Sequence, residues 1–305
     1  MKANREDELA LRVAVAAAKK AWRRIEPYYG GTLVTHEKAD GPVTIADRLA
    51  NHIIVNELQA VFPPREYGCL SEEIDHGAGR LRRERVWIID PIDGTHDFID
   101  RLGNFCIQIG LVRRWRRSFV PAAAVVYHPT TERVYAALRG RGAWVEDAAG
   151  RGRPRRLRVS RRKGPAGLRA LTSRSHSTPA LVDLVKAFRP SRIVSMGSMG
   201  LKICRIASGE ADFYVTIGLG ATKEWDSCAP HLILSEAGGC LTDLRGQELS
   251  YNGRDVRRHF GLLATNGRSH EGLLLAIRAH FANPGVQAPP GLREMLGIRG
   301  VAQRA

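Results

Sequence analysis

The chain of 305 residues, 44% of them apolar, is long enough for one large or two modest domains, each with its own core. No apolar run approaches the length of a membrane span, and the first residues lack the apolar core of a signal peptide, which predicts a cytoplasmic protein without a membrane partner. The formal net charge is +16, but no recognisable DNA- or RNA-binding motif accompanies the arginines, so nucleic acid is not an expected partner.

The N-terminal half combines helices with short strands. An amphipathic pattern predicts a helix over residues 6–25, and a second helix begins at Thr44, where Thr44 and Asp47 fit a capping box. The apolar run 86–89 indicates a buried strand. Turns between the segments that follow favour an antiparallel meander. Its further strands are predicted at residues 105–112, 122–127, 134–138 and 143–145.

The second half alternates strands and helices, which is typical of an α/β arrangement. Strands are predicted at 168–172, 192–194, 213–215, 240–243 and 261–264, and helices at 179–188, 199–207, 227–237 and 270–280. A polar stretch containing Gly and Pro marks the boundary between the halves. We therefore predict an N-terminal α+β domain over residues 1–155, a C-terminal α/β domain over 156–283 and a flexible tail over 284–305.

The strand at 86–89 runs directly into the sequence Asp90-Pro91-Ile92-Asp93-Gly94-Thr95. Pro91 fixes its own φ, so the chain turns and the side chains of Asp90 and Asp93 can converge. Converging carboxylates require a cation, and hard oxygen ligands suit Mg²⁺. Gly94 permits close approach of a ligand, and Thr95 opens a short segment whose N–H groups would bind phosphate. The combination predicts a metal-dependent phosphoester hydrolase, although Asp-Pro and Asp-Gly pairs alone are ordinary turn residues.

Further acidic residues could complete a metal site. Glu72 and Glu73 lie in a polar segment before the central strand, and Asp226 follows Trp225 near the start of a helix. Each also has a simpler interpretation: the glutamates as solvated charges, Asp226 as a helix N-cap, and Asp47 as the acidic member of its capping box. Together these acids occupy a loop, a strand end and two helix starts, where a fold can gather side chains from distant parts of the sequence.

Three segments, in this order, resemble the inositol monophosphatase superfamily of Mg²⁺-dependent, lithium-sensitive phosphatases. They are Ser71-Glu72-Glu73, Trp87-Ile88-Ile89-Asp90-Pro91-Ile92-Asp93-Gly94-Thr95 and Trp225-Asp226-Ser227-Cys228-Ala229-Pro230. The resemblance extends from residue 43 to about residue 251 and implies a layered αβαβα sandwich, which matches a meander followed by alternating strands and helices. It also implies a set of metal ligands: Glu72, Asp90, Asp93, Asp226 and the carbonyl of Ile92.

The resemblance implies catalysis with two or three Mg²⁺ ions, for which Mn²⁺ could substitute. Glu72, with Thr95 as its hydrogen-bond partner, is expected to orient and deprotonate the attacking water, and Asp47 is expected to assist near the metal site. Asp226 is expected to stabilise the leaving oxygen. The residues expected to bind substrate are Asp93, Gly94, Thr95, Ser198, Lys202 and Asp226.

Other segments resemble the CysQ-like 3′(2′),5′-bisphosphate nucleotidases of this superfamily, which remove the 3′-phosphate from adenosine 3′,5′-bisphosphate. They include Asp97, the run Ser173-Arg174-Ser175-His176, and the residues from Thr222 to the Trp-Asp pair. Ser198 and Lys202 would donate to a second phosphate. Alternatively, Ser198 only caps a helix and Lys202 is solvated.

Two departures concern the substrate rather than the metal site. The acid that inositol phosphatases place shortly before their Trp-Asp pair, to bind sugar hydroxyls, has no counterpart near Val215 or Thr216. The segment 196–200 carries one residue more than the bacterial nucleotidase pattern. The first departure argues against inositol phosphate, and the second leaves the nucleotide contacts open.

The alternatives are an inositol monophosphatase or fructose-1,6-bisphosphatase of the same superfamily, and a basic nucleic-acid-binding protein. The last would use the arginine clusters at 80–85, 113–117 and 151–163. It leaves the acidic motifs unexplained, since carboxylates gathered in a pocket repel nucleic acid. The expected partner is a small phosphorylated molecule, and the chain is expected to be a monomer or a homodimer.

Overall fold

The computed structural model describes residues 3–30, 35–38, 41–74, 77–218 and 220–298. The α-helices within these ranges are α1 Arg5–Gly30, α2 Ile45–Val61, α3 Thr95–Ile99, α4 Pro179–Ala187, α5 Met199–Ala207, α6 Glu224–Glu236, α7 His270–Ala282 and α8 Leu292–Met295. The strands are β1 Thr35–Lys38, β2 Gly41–Thr44, β3 Tyr67–Ser71, β4 Arg85–Asp93, β5 Cys106–Trp115, β6 Ser118–His128, β7 Arg133–Leu138, β8 Gly142–Asp147, β9 Arg155–Arg156, β10 Arg169–Ser173, β11 Arg192–Met196, β12 Phe213–Thr216, β13 Cys240–Thr242 and β14 Leu262–Thr265.

These elements form five layers. Helices α1 and α2 cover one face of a seven-stranded sheet with the order β3-β4-β5-β6-β7-β8-β9. Helices α5 and α6 lie between this sheet and a five-stranded sheet with the order β11-β10-β12-β14-β13. Helices α4 and α7 cover the outer face of the second sheet. The predicted layered αβαβα sandwich is thus confirmed.

Strand β4 is buried on both faces, which explains its continuous apolar run. Trp87 and Ile89 pack in the cluster formed with α1 and α2. Val86 and Ile88, which point to the opposite face, pack in a second cluster with residues of α6. Alternation along one strand therefore connects the outer helical layer with the central one.

The first sheet contains the predicted meander and two strands, β3 and β9, that the sequence pattern did not predict. Strands β4 to β9 are antiparallel neighbours. Strand β3 pairs in parallel with β4, with Ser71 opposite Ile89. The apolar alternation of β3 is weak because Gly68 and Cys69 occupy its centre. This pairing places Glu72, whose N–H donates to the Ile89 carbonyl at 3.3 Å, beside the end of β4.

The second sheet is mixed. Strand β10 is parallel to both β11 and β12, and β14 is antiparallel to β12 and β13. The order of strands and helices follows the alternation predicted from the sequence. The link from β11 to α5 consists of Gly197 and Ser198 alone, so the end of this strand and the start of the helix lie close together.

Two helix starts carry acids of the predicted site. Thr44 caps α2 through the predicted capping box with Asp47. Helix α6 begins at Glu224, three residues earlier than predicted, because the Lys223 N–H donates to the Asp226 carboxylate and satisfies the start of the helix. Asp226 is therefore not the N-cap itself. Pro230 is the seventh residue of α6 and does not lie in its first turn.

Strand β9, which ends the first sheet, lies at the predicted boundary between residues 155 and 156. The division into two domains stays a prediction. Of the predicted tail 284–305, the described part includes α8, which buries Leu292 and Leu296 against α7 and its neighbours. Residues 299–305 lie outside the described residues. Among the described helices, none combines the length and apolar character needed to cross a bilayer.

Candidate active site

A cavity of about 350 Å³ lies where the end of β4 meets the first turns of α2, α5 and α6. All ten residues that the sequence predicts for the site line it: Asp47, Glu72, Asp90, Ile92, Asp93, Gly94, Thr95, Ser198, Lys202 and Asp226. The Asp90–Thr95 motif therefore lines a cavity, which an ordinary surface turn would not do.

A register shift between β4 and β5 turns the motif toward the cavity. The two strands pair regularly up to Asp90 opposite Gln108, and pairing resumes only at Asp93 opposite Cys106. The irregularity contains Pro91, which has no N–H to donate to the ladder. The bulge therefore interrupts the regular alternation of side chains along β4, so the side chains of Asp90 and Asp93 both line the cavity.

Asp90 is buried among other acidic residues. Its side chain is 1% exposed, and no hydrogen-bond donor of the described residues reaches Oδ1. Burial raises the pKa of its carboxyl well above the usual range, and the neighbouring charges of Glu72, Asp93 and Asp226 raise it further. A cation beside this carboxyl would favour its ionised form.

Asp93 accepts hydrogen bonds from the first turn of α5. The N–H groups of Met199 and Gly200 donate to it at 3.1 and 2.6 Å, and the Ser198 hydroxyl donates at 2.7 Å. The amide of Gln108 donates to the same carboxylate at 2.8 Å. A negative charge at the N-terminus of a helix is stabilised by the helix dipole. Asp93 therefore holds α5 against the end of β4.

Asp47 and Asp226 are placed in the same way on two different helices. The Thr44 N–H donates to Asp47 Oδ2 at 2.7 Å, and the Lys223 N–H donates to Asp226 Oδ2 at 2.6 Å. Burial raises the pKa of Asp47 to about 6 and that of Asp226 to about 7. The capping interpretation is thus correct for Asp47, and both carboxylates line the cavity in addition.

Gly94 and Thr95 begin α3 at the edge of the cavity. Gly94 has φ 97°, and a Cβ there would lie 2.9 Å from the Asn104 carbonyl oxygen and 3.1 Å from the Ser198 nitrogen. Only glycine fits this position without strain. The Thr95 hydroxyl lies 3.1 Å from the Ile92 carbonyl oxygen and 3.5 Å from Asp47 Oδ1. Its predicted pairing with Glu72 stays a prediction.

Lys202 is buried, so its interpretation as a solvated surface residue is wrong. Its side chain is 2% exposed, and Nζ donates to the carbonyls of Met196 and Gly197 at 3.3 and 3.1 Å. Nζ also lies 5.0 Å from the centre of the Tyr214 ring. Burial lowers the pKa of this ammonium group to about 8.

Ser198 caps α5 and contacts Asp93 at the same time. Its hydroxyl accepts the Leu201 N–H at 3.0 Å and donates to Asp93. Its φ of 45° is uncommon for a residue other than glycine, and the surrounding hydrogen bonds hold the strained conformation. The capping interpretation is therefore correct, and the hydroxyl hydrogen is already committed to Asp93.

The family model described as the inositol monophosphatase family matches residues 6–281. The chain belongs to the inositol monophosphatase family. It is therefore a phosphoric monoester hydrolase, and the cavity, which seven acidic residues line, is the candidate active site of this family member.

Relatives within the family carry two kinds of name. The chain is 34% identical over 218 residues to the 3′(2′),5′-bisphosphate nucleotidase CysQ of Salmonella typhimurium, an alignment that covers 71% of this chain and 82% of the relative. It is 32% identical over 278 residues to an inositol-1-monophosphatase of Mesorhizobium japonicum, covering 88% and 96%. The crystal structure of the extragenic suppressor protein suhB from Bartonella henselae matches with a TM-score of 0.74 and 29% identity, covering 88% and 98%.

The donor set fits a hard divalent cation. The candidate ligands are carboxylate and carbonyl oxygens, which suit Mg²⁺ or Mn²⁺ and not a softer metal. The orphaned Oδ1 of buried Asp90 is the atom that most needs a cation. Within the described ranges, no group of three or more His, Cys, Asp or Glu side chains is arranged closely enough to hold a metal as it stands. Carboxylates of like charge repel one another unless a cation lies between them.

Some residues of this cavity were not predicted as site residues. His96 and His176 lie on its rim, with their ring centres 6.3 Å apart, and Tyr214 and Lys223 line its interior. His96 could have been predicted from its position directly after Thr95. Lys223 could have been predicted from its position just before the Trp-Asp pair. Tyr214 gave no signal, because a tyrosine in a buried strand is ordinary core packing.

Proposed function

We propose that this family member is a Mg²⁺-dependent 3′(2′),5′-bisphosphate nucleotidase that removes the 3′-phosphate from adenosine 3′,5′-bisphosphate. The observation that carries the proposal is the composition of the cavity, which combines an acidic group with a basic one. The acidic group consists of Asp47, Glu72, Asp90, Asp93 and Asp226. The basic group, called the basic wall below, consists of His96, His176 and Lys202.

A substrate with two phosphates matches this composition. The phosphate to be removed would lie at the acidic group, where a cation compensates the carboxylates. A second phosphate needs donors of its own, and the basic wall supplies them within the same cavity. The Salmonella typhimurium relative is named a 3′(2′),5′-bisphosphate nucleotidase, which fits a substrate with two phosphates.

Five groups would hold the metal: the carboxylates of Glu72, Asp90, Asp93 and Asp226 and the carbonyl of Ile92. Bound Mg²⁺ would polarise the phosphoryl group and lower the pKa of the attacking water. Carbonyl and carboxylate ligands, with room for several waters in the cavity, suit this ion.

Glu72 is the proposed general base. It lies at the end of β3 beside Asp90 and Ile92, where it would orient the attacking water and accept its proton. Thr95 lies between the Ile92 carbonyl and Asp47, so its single hydroxyl hydrogen can be donated to either of these two acceptors. The N–H groups that follow Gly94, at the start of α3, would bind the oxygens of the phosphate.

Lys202 is better suited than Ser198 to a second phosphate. The Ser198 hydroxyl donates to Asp93, whereas the Lys202 ammonium has three donors and gives only two of them to the Met196 and Gly197 carbonyls. The proposed contact is therefore an ammonium–phosphate pair at the buried end of the basic wall.

An inositol monophosphatase is the second candidate, because the Mesorhizobium japonicum relative covers more of this chain, 88% against 71% for the nucleotidase. The wall formed by β12 and the segment leading to α6 argues against it. This wall presents Tyr214, Thr216, Thr222 and Lys223, and residues 213–223 contain no acid to bind sugar hydroxyls.

The deciding experiment compares phosphate release from adenosine 3′,5′-bisphosphate, inositol 1-phosphate and fructose 1,6-bisphosphate in the presence of Mg²⁺. We expect kcat/KM for the nucleotide to be at least about tenfold higher, since one charge-assisted hydrogen bond contributes roughly 1.5–3 kcal/mol. A higher kcat/KM for inositol 1-phosphate would assign the second candidate function instead.

A further inference from the structure

Asp97 joins three separate segments that surround the cavity. Its side chain is 2% exposed and lies in α3, two residues after Thr95. Oδ2 accepts the Gly197 N–H at 3.2 Å, and Oδ1 lies 3.4 Å from Nη1 of Arg174. One carboxylate thus connects α3 with the segment after β10 and with the link between β11 and α5.

The contact with Gly197 leaves no room for another residue type. A Cβ at this position would lie 2.4 Å from Asp97 Cγ and 2.5 and 2.6 Å from its two oxygens. The next residue, Ser198, has the strained φ of 45°. Hydrogen bonds hold both residues of this strained link: the Gly197 N–H donates to Asp97, and the Ser198 hydroxyl donates to Asp93.

The two segments that Asp97 holds carry the basic wall. Lys202 Nζ donates to the carbonyls of Met196 and Gly197, so the position of this link determines where the ammonium group lies. His176 follows Arg174 by two residues, and its ring lies 6.3 Å from that of His96, the residue before Asp97. Helix α3 and the segment after β10 therefore meet through two adjacent residue pairs.

The charge of Asp97 also matters for the basic wall. Asp97 is the only acid of α3 that is buried, and it faces the cation of Arg174 on one side and the neighbourhood of Lys202 on the other. Burial lowers the pKa of Lys202, and the negative charges of Asp93 and, after it, Asp97 favour the protonated form of that group. Removing the charge would weaken the electrostatic interactions of Asp97 with Arg174 and with Lys202, while both basic side chains stay in place.

We propose that Asp97 is a positioning residue that sets the preference for a substrate with two phosphates, by holding the basic wall in place. The inference rests on the proposed function, because the basic wall matters only if the substrate carries a second anionic group. Asp97 also lines the cavity, and its proposed effect is on Gly197, Arg174 and Lys202 and not on the phosphate that is removed.

The test uses Asp97→Asn in the full chain and two substrates, adenosine 3′,5′-bisphosphate and adenosine 3′-monophosphate. We expect KM for the bisphosphate to rise about tenfold, the equivalent of roughly 1.4 kcal/mol, with kcat changed less than about threefold. The constants for the monophosphate should stay unchanged. The matched control is Asp100→Asn, the same chemical change at the exposed C-cap residue of α3.

Amide hydrogen exchange gives a second readout that does not depend on substrate. In Asp97→Asn, exchange at residues 173–176 and 196–198 should be about tenfold faster than in the wild type and in Asp100→Asn. Unchanged exchange would overturn the inference. An equal loss of kcat/KM for both substrates would also overturn it, since a merely structural role predicts that result.

The outcomes separate the inference from the proposed function. A wild-type enzyme that does not prefer the bisphosphate overturns the proposed function, and the substrate part of the inference with it. A wild-type enzyme with a clear preference that Asp97→Asn retains overturns the inference alone. A double-mutant cycle with Arg174→Met should be non-additive if the two residues act as a pair.

Discussion

The carboxylate of Asp93 accepts the backbone N–H of Gly200 at 2.6 Å. An acid that the sequence assigns to metal binding therefore also caps a helix that begins more than one hundred residues later in the chain. Asp90, three residues before it, has no such partner for Oδ1 among the described residues. The two acids of one motif thus differ in how much of the fold depends on them.

This difference predicts that the same substitution lowers the free energy of unfolding at one acid and not at the other. Asp93→Asn places an amide NH₂ against the N–H groups of α5, so we expect a loss of about 1–3 kcal/mol in the free energy of unfolding together with loss of activity. Asp90→Asn removes a repelled, buried charge and should reduce kcat at least about hundredfold without lowering stability. Urea denaturation of both metal-free variants measures the difference. If Asp93→Asn is as stable as the wild type, the capping role is wrong.

Divalent cations should stabilise the protein more strongly at higher pH. The folded pKa of Asp226 is about 7, above its ordinary value of 3.8, so the folded chain binds more protons than the unfolded chain between these values. Stability from this group therefore falls as the pH rises from about 4 to 7, and a cation that replaces the proton restores it. At one hundred times its dissociation constant, Mg²⁺ should contribute about 2.7 kcal/mol.

Thermal unfolding with and without Mg²⁺ at pH 5.5 and pH 8 checks this expectation. The increase in Tm should be larger at pH 8, because protons compete with the cation at the lower pH. Asp226→Asn should lose most of the increase at both pH values. An increase of the same size in this variant as in the wild type would place the cation elsewhere.

Binding of a second phosphate should weaken above pH 8. The pKa of Lys202 is about 8, so the ammonium charge is lost above this pH, while a phosphate monoester is already fully ionised. We expect KM for adenosine 3′,5′-bisphosphate to rise about tenfold per pH unit above 8, with little change for the 3′-monophosphate.

The contribution of Lys202 to the stability of the chain changes in the opposite direction. Between pH 8 and 10.5 the unfolded chain binds the Lys202 proton more tightly than the folded chain, so the contribution of this group to stability rises with pH. Lys202→Met should show a high and pH-independent KM for the bisphosphate. A wild-type profile that is flat up to pH 10 would contradict the placement of the phosphate at Lys202.

Two glycine substitutions should have opposite effects. Gly197→Ala forces a Cβ to within 2.4 Å of Asp97, so we expect a loss of about 1–3 kcal/mol in stability and a lower kcat/KM. Gly272→Ala, in the exposed first turn of α7, meets no described atom within 4 Å and should stabilise the chain by about 0.4–1 kcal/mol. Urea denaturation and kcat/KM of both variants test the pair, and a harmless Gly197→Ala would mean that this contact is looser than described.

Local signals predicted much of the fold. The capping box at Thr44 and Asp47 predicted the start of α2, and the limits of α5 were predicted to the residue. The order of strands and helices in the second half followed from alternation alone. These features depend on neighbours a few residues apart, which is why a sequence pattern contains them.

Features that depend on distant contacts were not predictable. The burial of Lys202 requires carbonyl acceptors at Met196 and Gly197 and the ring of Tyr214, and a lysine is otherwise expected at the surface. The pairing of β3 with β4 requires a partner strand, because its own pattern is weak. The shared cavity of the acids was predicted from the resemblance, whereas the capping of α5 by Asp93 had no local signal.

Helix α6 carries Asp226 in its first turn and packs against β4 to β8 on one side and against β13 and α5 on the other. This helix of the central layer thus also supports the candidate active site. We expect heating that loosens either sheet to displace this acid, so loss of activity and global unfolding should follow one temperature curve.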